Sequence, residues 1–199
     1  MRRAAAFLFL LTIALCALAA PKPGEQAPAF TATDSNGKTH QLSQYRGKFV
    51  VLEWTNSGCP FTRKHYATGN MQKLQREWTA KGVIWLTVLS SAPGQQGYKT
   101  AGEENDYLKQ VSAAPTAVLM DPSGTVGHLY GAKTTPQIIV IDPAGKIVYD
   151  GAMDDKPTTD MDDVPHAKNY VEAALTEATS GKPVTTPSTQ PYGCSVKYQ

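Results

Sequence analysis

Cysteine stands at three positions in this 199-residue chain: Cys16, Cys59 and Cys194. Cys59 is the one placed for chemistry. It directly precedes Pro60, and proline suits the first helical position because its missing N–H would be unpaired there anyway. Cys59 therefore falls at the mouth of a helix. Free N–H groups and the helix dipole favour negative charge at that point, which stabilises a thiolate. Arg63 and Lys64, about one turn on, add to the field. Such a thiolate is a nucleophile. The plainer account is a half-cystine in a structural bridge, and both accounts stay open. Cys194 lies in Pro191-Tyr-Gly-Cys194-Ser-Val-Lys-Tyr198. Gly and Pro permit a turn there, and Tyr192, Val196 and Tyr198 can dock it.

The elements that must position Cys59 alternate between strand and helix. Short strands are expected at Phe30–Thr33 and Thr39–Leu42, around the turn signal Asp34–Lys38. Phe49–Thr55 is almost continuously apolar, as in a strand covered on both faces. The helix after it breaks near Gly69. Asn70 then caps a second piece that sets Met71, Leu74 and Trp78 on one face, ending at Gly82. Val83–Leu89 and Thr116–Met120 read as further strands, separated by a helix that Thr100-Ala-Gly-Glu103 opens as a capping box. A short helix follows over Thr125–Tyr130. Gln137–Ile141 and Lys146–Tyr149 form a hairpin about Asp142-Pro-Ala-Gly145. His166–Ser180 reads as the last helix, and the tail from Gly181 as irregular. The order implies an α/β sandwich on a mixed sheet.

Met1-Arg2-Arg3, the apolar run from Ala4 to Leu15 and Ala17-Leu18-Ala19 have the form of a secretory signal over residues 1–19. The alternatives are an uncleaved anchor, for which the run is short, and a lipoprotein at Cys16, for which Leu15 is too large. Cleavage leaves Cys59 and Cys194 in a periplasmic or extracellular setting, where two cysteines most simply pair. Without Arg2 and Arg3 the charges balance. That argues against nucleic acid and anionic membrane as partners. The four histidines are scattered, so neither a metal nor a cofactor is expected. The aspartates from Asp150 to Asp163 are expected in a solvated loop, His65 on the surface, and Trp54, Trp78 and Trp85 in the core.

Trp54-Thr-Asn-Ser-Gly-Cys-Pro-Phe-Thr62 and Thr135-Pro136 with the hairpin after it resemble the thioredoxin superfamily. Pro23–Phe30, Asp34…Gly37-Lys38 and Leu42…Tyr45-Arg-Gly-Lys48 narrow the likeness to its peroxiredoxin-like branch, the alkyl hydroperoxide reductase/thiol-specific antioxidant group. The likeness runs from about Gly24 to Gly151. It implies a thioredoxin-like domain over 24–180, with residues 181–199 as a tail carrying Cys194. It makes Cys59 the attacking cysteine. Pro136 matches the usually cis proline that faces it, and Thr135, Pro136 and Pro60 border the substrate. Glu53 stands six residues before Cys59, where thioredoxins carry a buried acid. On an apolar strand its pKa would rise and it could relay a proton; an ordinary edge-facing glutamate is the alternative. Asn56 takes the position of the peroxide-binding Thr or Ser of true peroxiredoxins. Thr62 replaces the second cysteine of C-x-x-C.

Several peroxiredoxins keep a resolving cysteine in a C-terminal tail, and by that likeness Cys194 would capture an oxidised Cys59 as a disulfide, within one chain or across a homodimer. A permanent staple is the alternative, worth roughly 4–5 kcal/mol for so long a loop in the chain-entropy model. The resemblance thus implies an exported oxidoreductase acting on a peroxide or a protein disulfide. An external thiol reductant of thioredoxin type would recharge it. A disulfide-exchange protein and a non-catalytic binding module are the competing expectations.

Overall fold

The computed structural model describes residues 20–199, so the signal reading of residues 1–19 and Cys16 lie outside the described residues. Among the described residues nine strands and five α-helices follow one another: β1 (Thr31–Asp34), β2 (Thr39–Gln41), β3 (Val50–Trp54), α1 (Pro60–Ala67), α2 (Asn70–Ala80), β4 (Ile84–Leu89), α3 (Ala101–Gln110), β5 (Ala117–Met120), α4 (Thr125–Tyr130), β6 (Thr134–Thr135), β7 (Gln137–Ile141), β8 (Ile147–Gly151), α5 (Tyr170–Thr179) and β9 (Cys194–Ser195). Seven strands form one mixed sheet in the order β2-β1-β5-β4-β3-β7-β8. β3, β4 and β5 run parallel, and the remaining pairings are antiparallel. β6 and β9 make a separate two-stranded ladder.

The strand period of two sorts the core into two layers. Val50, Leu52 and Trp54 face one layer with Phe30, Val126 and Tyr130. Val51 faces the other, with Met71, Leu74 and Trp78 of α2 and Val171 and Leu175 of α5. Glu53 shares the parity of Val51, so its carboxylate is carried under α1 and α2. Trp54, Trp78 and Trp85 are core residues.

Two local expectations are corrected. Asn70 does not cap α2. Gly69, at φ +75, makes the break and stands at the cap, and the Asn70 amide instead meets His65 Nδ1 at 2.9 Å. The last helix starts at Tyr170, not His166. The Asn169 side chain accepts from Glu172 N at 2.9 Å, and Lys168 and Tyr170 are tied to Asp155 and Met153, which keeps 167–169 out of the helix. The tail from Gly181 is irregular as expected apart from β9, and it is held in place. Thr189 bonds to Asp150, Tyr149 and Ala152 along β8, and Cys194–Ser195 pairs with β6. Among the described residues no helix is long and apolar enough to cross a membrane.

Candidate active site

The capping position of α1 is Cys59, held by its N–H to Asn56 O at 2.9 Å and followed by Pro60 at the first helical turn. The side chain is wholly buried. Its thiol donates to the Thr135 carbonyl at 3.0 Å. Thr135 precedes Pro136 through a cis peptide bond, which turns that carbonyl toward the helix mouth. Thr135 is also the register partner of Cys194 in the β6–β9 ladder. One residue therefore touches both cysteines, and the tail sets Cys194 beside Cys59. Both are free thiols.

The two thiols are electrostatically unequal. Burial pushes the Cys59 pKa up, but the Cys194 thiol, the Thr62 N–H and Thr135 hydrogen-bond its sulfur and carry the pKa below the ordinary thiol value. Helix N–H groups thus act on Cys59 as expected. Cys194 moves the other way, to about 11, through burial, its hydrogen bond to Cys59 and repulsion from the Cys59 charge. Of the two, Cys59 loses its proton the more readily.

The groups that act most on the Cys59 thiol are Cys194, Thr62 and Thr135 rather than Arg63 or Lys64. Arg63 is exposed and borders an open cavity of about 680 Å³ with Tyr66, Arg76 and Tyr107. Lys64 is wholly buried and turned to the Lys156 carbonyl at 2.8 Å and to Asp154 at 3.7 Å. His65 is likewise buried, not on the surface, at 3.8 Å from Asp154. Burial chiefly lowers its pKa to about 4, so it is neutral at pH 7. Asp154 is correspondingly not solvated: it is 2% exposed and accepts the Tyr192 hydroxyl. A buried cation on α1 needs a carboxylate nearby, and the acidic stretch supplies it.

Glu53 is fully buried and accepts from Trp85 Nε1 (2.7 Å), Tyr66 OH (2.9 Å), Gln75 Nε2 (3.1 Å) and Thr87 Oγ1 (3.2 Å). Burial lifts its pKa to about 7, against the pull of those donors. None of its hydrogen bonds reaches Cys59. Its tie to the site is Tyr66, on the helix that Cys59 opens. Asn56 is buried with both ends of its amide engaged: Nδ2 donates to Gln96 O at 3.0 Å, and Oδ1 accepts from Gly58 N at 2.8 Å. It shapes the turn into Cys59.

Sequence reasoning missed Gln137. Its side chain accepts from Lys133 N and donates to Asp150, both at 2.9 Å, and so fixes the strand carrying Thr135. A buried polar residue opening an apolar strand was the available signal.

The family model described as the AhpC/TSA family matches residues 23–150. The chain belongs to the AhpC/TSA family. As a member it is a thiol-dependent oxidoreductase with a thioredoxin-like fold. Among curated proteins it is similar to the thiol-disulfide oxidoreductase ResA of Bacillus thuringiensis, 27% identical over 128 residues, which is 64% of this chain and 68% of that one. Among solved structures it is similar to an uncharacterized conserved protein from Geobacillus kaustophilus, with a TM-score of 0.76, 24% identity and coverage of 89% and 92% of the two chains. The pneumococcal exposed lipoprotein thioredoxin Etrx1 of Streptococcus pneumoniae aligns at TM-score 0.51 and 26% identity, over 70% of this chain and 96% of that one.

Proposed function

We propose that this AhpC/TSA protein is an exported thiol-disulfide oxidoreductase that works through Cys59 and Cys194. The observation that carries the reading is Thr135, whose carbonyl meets the Cys59 thiol and whose strand partner is Cys194. The Cys59 thiolate attacks one sulfur of a client disulfide. A Cys59–client bond forms and the other client sulfur leaves as a thiolate. Cys194 then loses its proton and attacks Cys59 Sγ. The intramolecular disulfide forms, and the client leaves with its second thiol. The client is reduced by two electrons and the pair is oxidised by two. An external dithiol of thioredoxin type restores it.

Glu53 serves as a positioning residue, holding α1 through Tyr66. The basic start, the apolar run and the likeness to an exposed lipoprotein thioredoxin support export.

A peroxide is the second reading, favoured by the complete burial of Cys59 under the tail, which admits a small oxidant more readily than a protein. The Cys59 thiolate would take the terminal peroxide oxygen, releasing an alcohol or water. Cys194 would displace hydroxide from the sulfenic acid, giving the same disulfide and water.

The test uses the reduced chain, given one equivalent of hydrogen peroxide or of oxidised glutathione, with thiols followed over minutes and linkages mapped by non-reducing peptide mass analysis. A Cys59–Cys194 linkage from glutathione disulfide supports exchange. The same linkage from peroxide alone supports the second reading. Thiols that survive both oxidants would leave a structural role only.

A further inference from the structure

The tail does more than deliver Cys194. It lies in an extended groove as a bound strand would. Cys194–Ser195 pairs antiparallel with Thr134–Thr135, the segment beside Pro136. Val196 N extends the pairing to Lys133 O at 2.9 Å, and Ala92 N donates to Lys197 O at 2.8 Å. Each end is pinned by an aromatic ring. Tyr192, two residues before the cysteine, gives its hydroxyl to Asp154, sets its ring edge-on to Phe61 at 5.8 Å and lies 5.6 Å from Lys64 Nζ. Tyr198 stacks on His128 at 4.0 Å and donates to Ala132 O at 2.9 Å. The floor there is cut to fit: a Cβ on Gly124 or Gly127 would collide with the Tyr198 ring or hydroxyl.

The Tyr192 pocket is built at unusual cost. Lys64 and Asp154 are 0% and 2% exposed, and burying such a pair is expensive unless its remaining contacts are satisfied. The Tyr192 hydroxyl supplies one of those contacts. A two-residue ladder, in contrast, is short, and such an edge opens at low free energy. The arrangement combines strong side-chain pockets with a weak backbone clasp, which suits an occupant that comes and goes.

We propose that the groove is the client site and that the tail is a self-bound client strand. The client is an extended polypeptide with an aromatic residue two positions before the cysteine that meets Cys59. The aromatic side chain enters the Phe61–Lys64–Asp154 pocket in place of Tyr192, and the main chain adds to β6 in place of β9. The tail must peel back for the client to enter. It returns afterwards with Cys194 to release the product. This inference rests on the exchange reading above.

The test uses the full chain carrying Cys194→Ser, with and without Tyr192→Ala, and a Cys59→Ser/Cys194→Ser chain as the baseline for Cys16. The probe is a peptide Pro-Tyr-Gly-Cys-Ser-Val-Lys-Tyr whose cysteine carries a thionitrobenzoate disulfide. A sister peptide has Ala for its first Tyr. Attack by the Cys59 thiolate forms the Cys59–peptide disulfide and expels coloured thionitrobenzoate, which takes the electron pair. The Tyr peptide is expected to react about tenfold faster than the Ala peptide, as for one buried aromatic anchor. Both are expected to react faster with the Tyr192→Ala chain, whose own strap is loosened.

Equal rates for the two peptides would overturn the pocket. Equal rates with and without Tyr192→Ala would overturn the gate. Tyr198→Ala frees the other end of the strap and keeps the gate testable if Tyr192→Ala fails to fold. Rates that fall as chain concentration rises would assign the groove to the tail of a second copy instead. Failure to release thionitrobenzoate from the symmetric small-molecule disulfide as well would overturn the exchange reading itself, which a mere lack of peptide preference would not.

Discussion

Gly193 lies against the Thr135 carbonyl so closely that a Cβ at position 193 would collide with that oxygen. Its φ of +136 is also a backbone state that side chains disfavour. The tail can reach the active site only because the residue before Cys194 has no side chain. Gly193→Ala is therefore expected to push Cys194 away from Cys59 without touching the core. Oxidation of Cys59 to the Cys194 disulfide should slow by about 100-fold, the usual penalty for an ångström of misplacement between reacting groups. The measurement is the rate of two-thiol loss after oxidant. An unchanged rate would mean that the tail is free to move and that the tight approach has no kinetic role.

The inequality of the thiols predicts their pH behaviour. Cys59 sits below the ordinary thiol pKa and Cys194 near 11. The pH profile of iodoacetamide alkylation in the reduced chain should give Cys59 a midpoint below that of a free cysteine and Cys194 one above it. Cys194→Ala removes a donor to the Cys59 sulfur, so the Cys59 midpoint should rise in that variant. In Cys59→Ser the repulsion from the thiolate is gone, and the Cys194 midpoint should fall. Midpoints that do not respond to the partner's removal would show that the two sulfurs do not interact.

Much of this was legible in the sequence. The strand–Cys59–Pro60 junction gave the helix mouth, because proline and the apolar run before it each restrict the backbone on their own. The Asp142–Gly145 hairpin and the Thr100–Glu103 box follow from local chemistry alone. What could not be read depends on contacts distant in sequence. Lys64 and His65 look like surface residues until Asp154, some ninety positions on, is seen to cover them. Asp154 in turn looks like one solvated aspartate among several until Tyr192 meets it. Asn70 loses its capping role to Gly69 because a positive φ ends α1 there. The Thr134–Thr135 strand carries no signal of its own, since it exists only by pairing with the tail.

Glu53 gives a pH dependence of stability with a defined sign. Its pKa is raised from 4.5 to about 7 in the folded state. Between those values the folded chain binds more protons than the unfolded one, so stability falls as pH rises through that window and stays lower above it. The full swing corresponds to roughly 3 kcal/mol. Glu53→Gln cannot titrate, so the difference in unfolding free energy between the two chains should change by an amount of that order from pH 4.5 to 8. Urea unfolding at both ends of the window measures it. A difference independent of pH would mean that Glu53 titrates alike in the folded and unfolded chains.

The Lys64–Asp154 pair is the last test, because it joins the helix of Cys59 to the tail of Cys194. Removing the charge on one side leaves the other buried and unpaired, which typically costs about 3–5 kcal/mol. Asp154→Asn should therefore destabilise the chain by that order and also weaken the hold on Tyr192. Lys64→Met fills the same apolar path but strands the Asp154 carboxylate, so it should cost a similar amount. The double variant should recover much of the loss, giving a coupling energy of more than about 1 kcal/mol in the cycle. If the two effects simply add, the ammonium is satisfied by the Lys156 carbonyl alone. The tail would then be docked by the Tyr192 ring rather than by the charge beneath it.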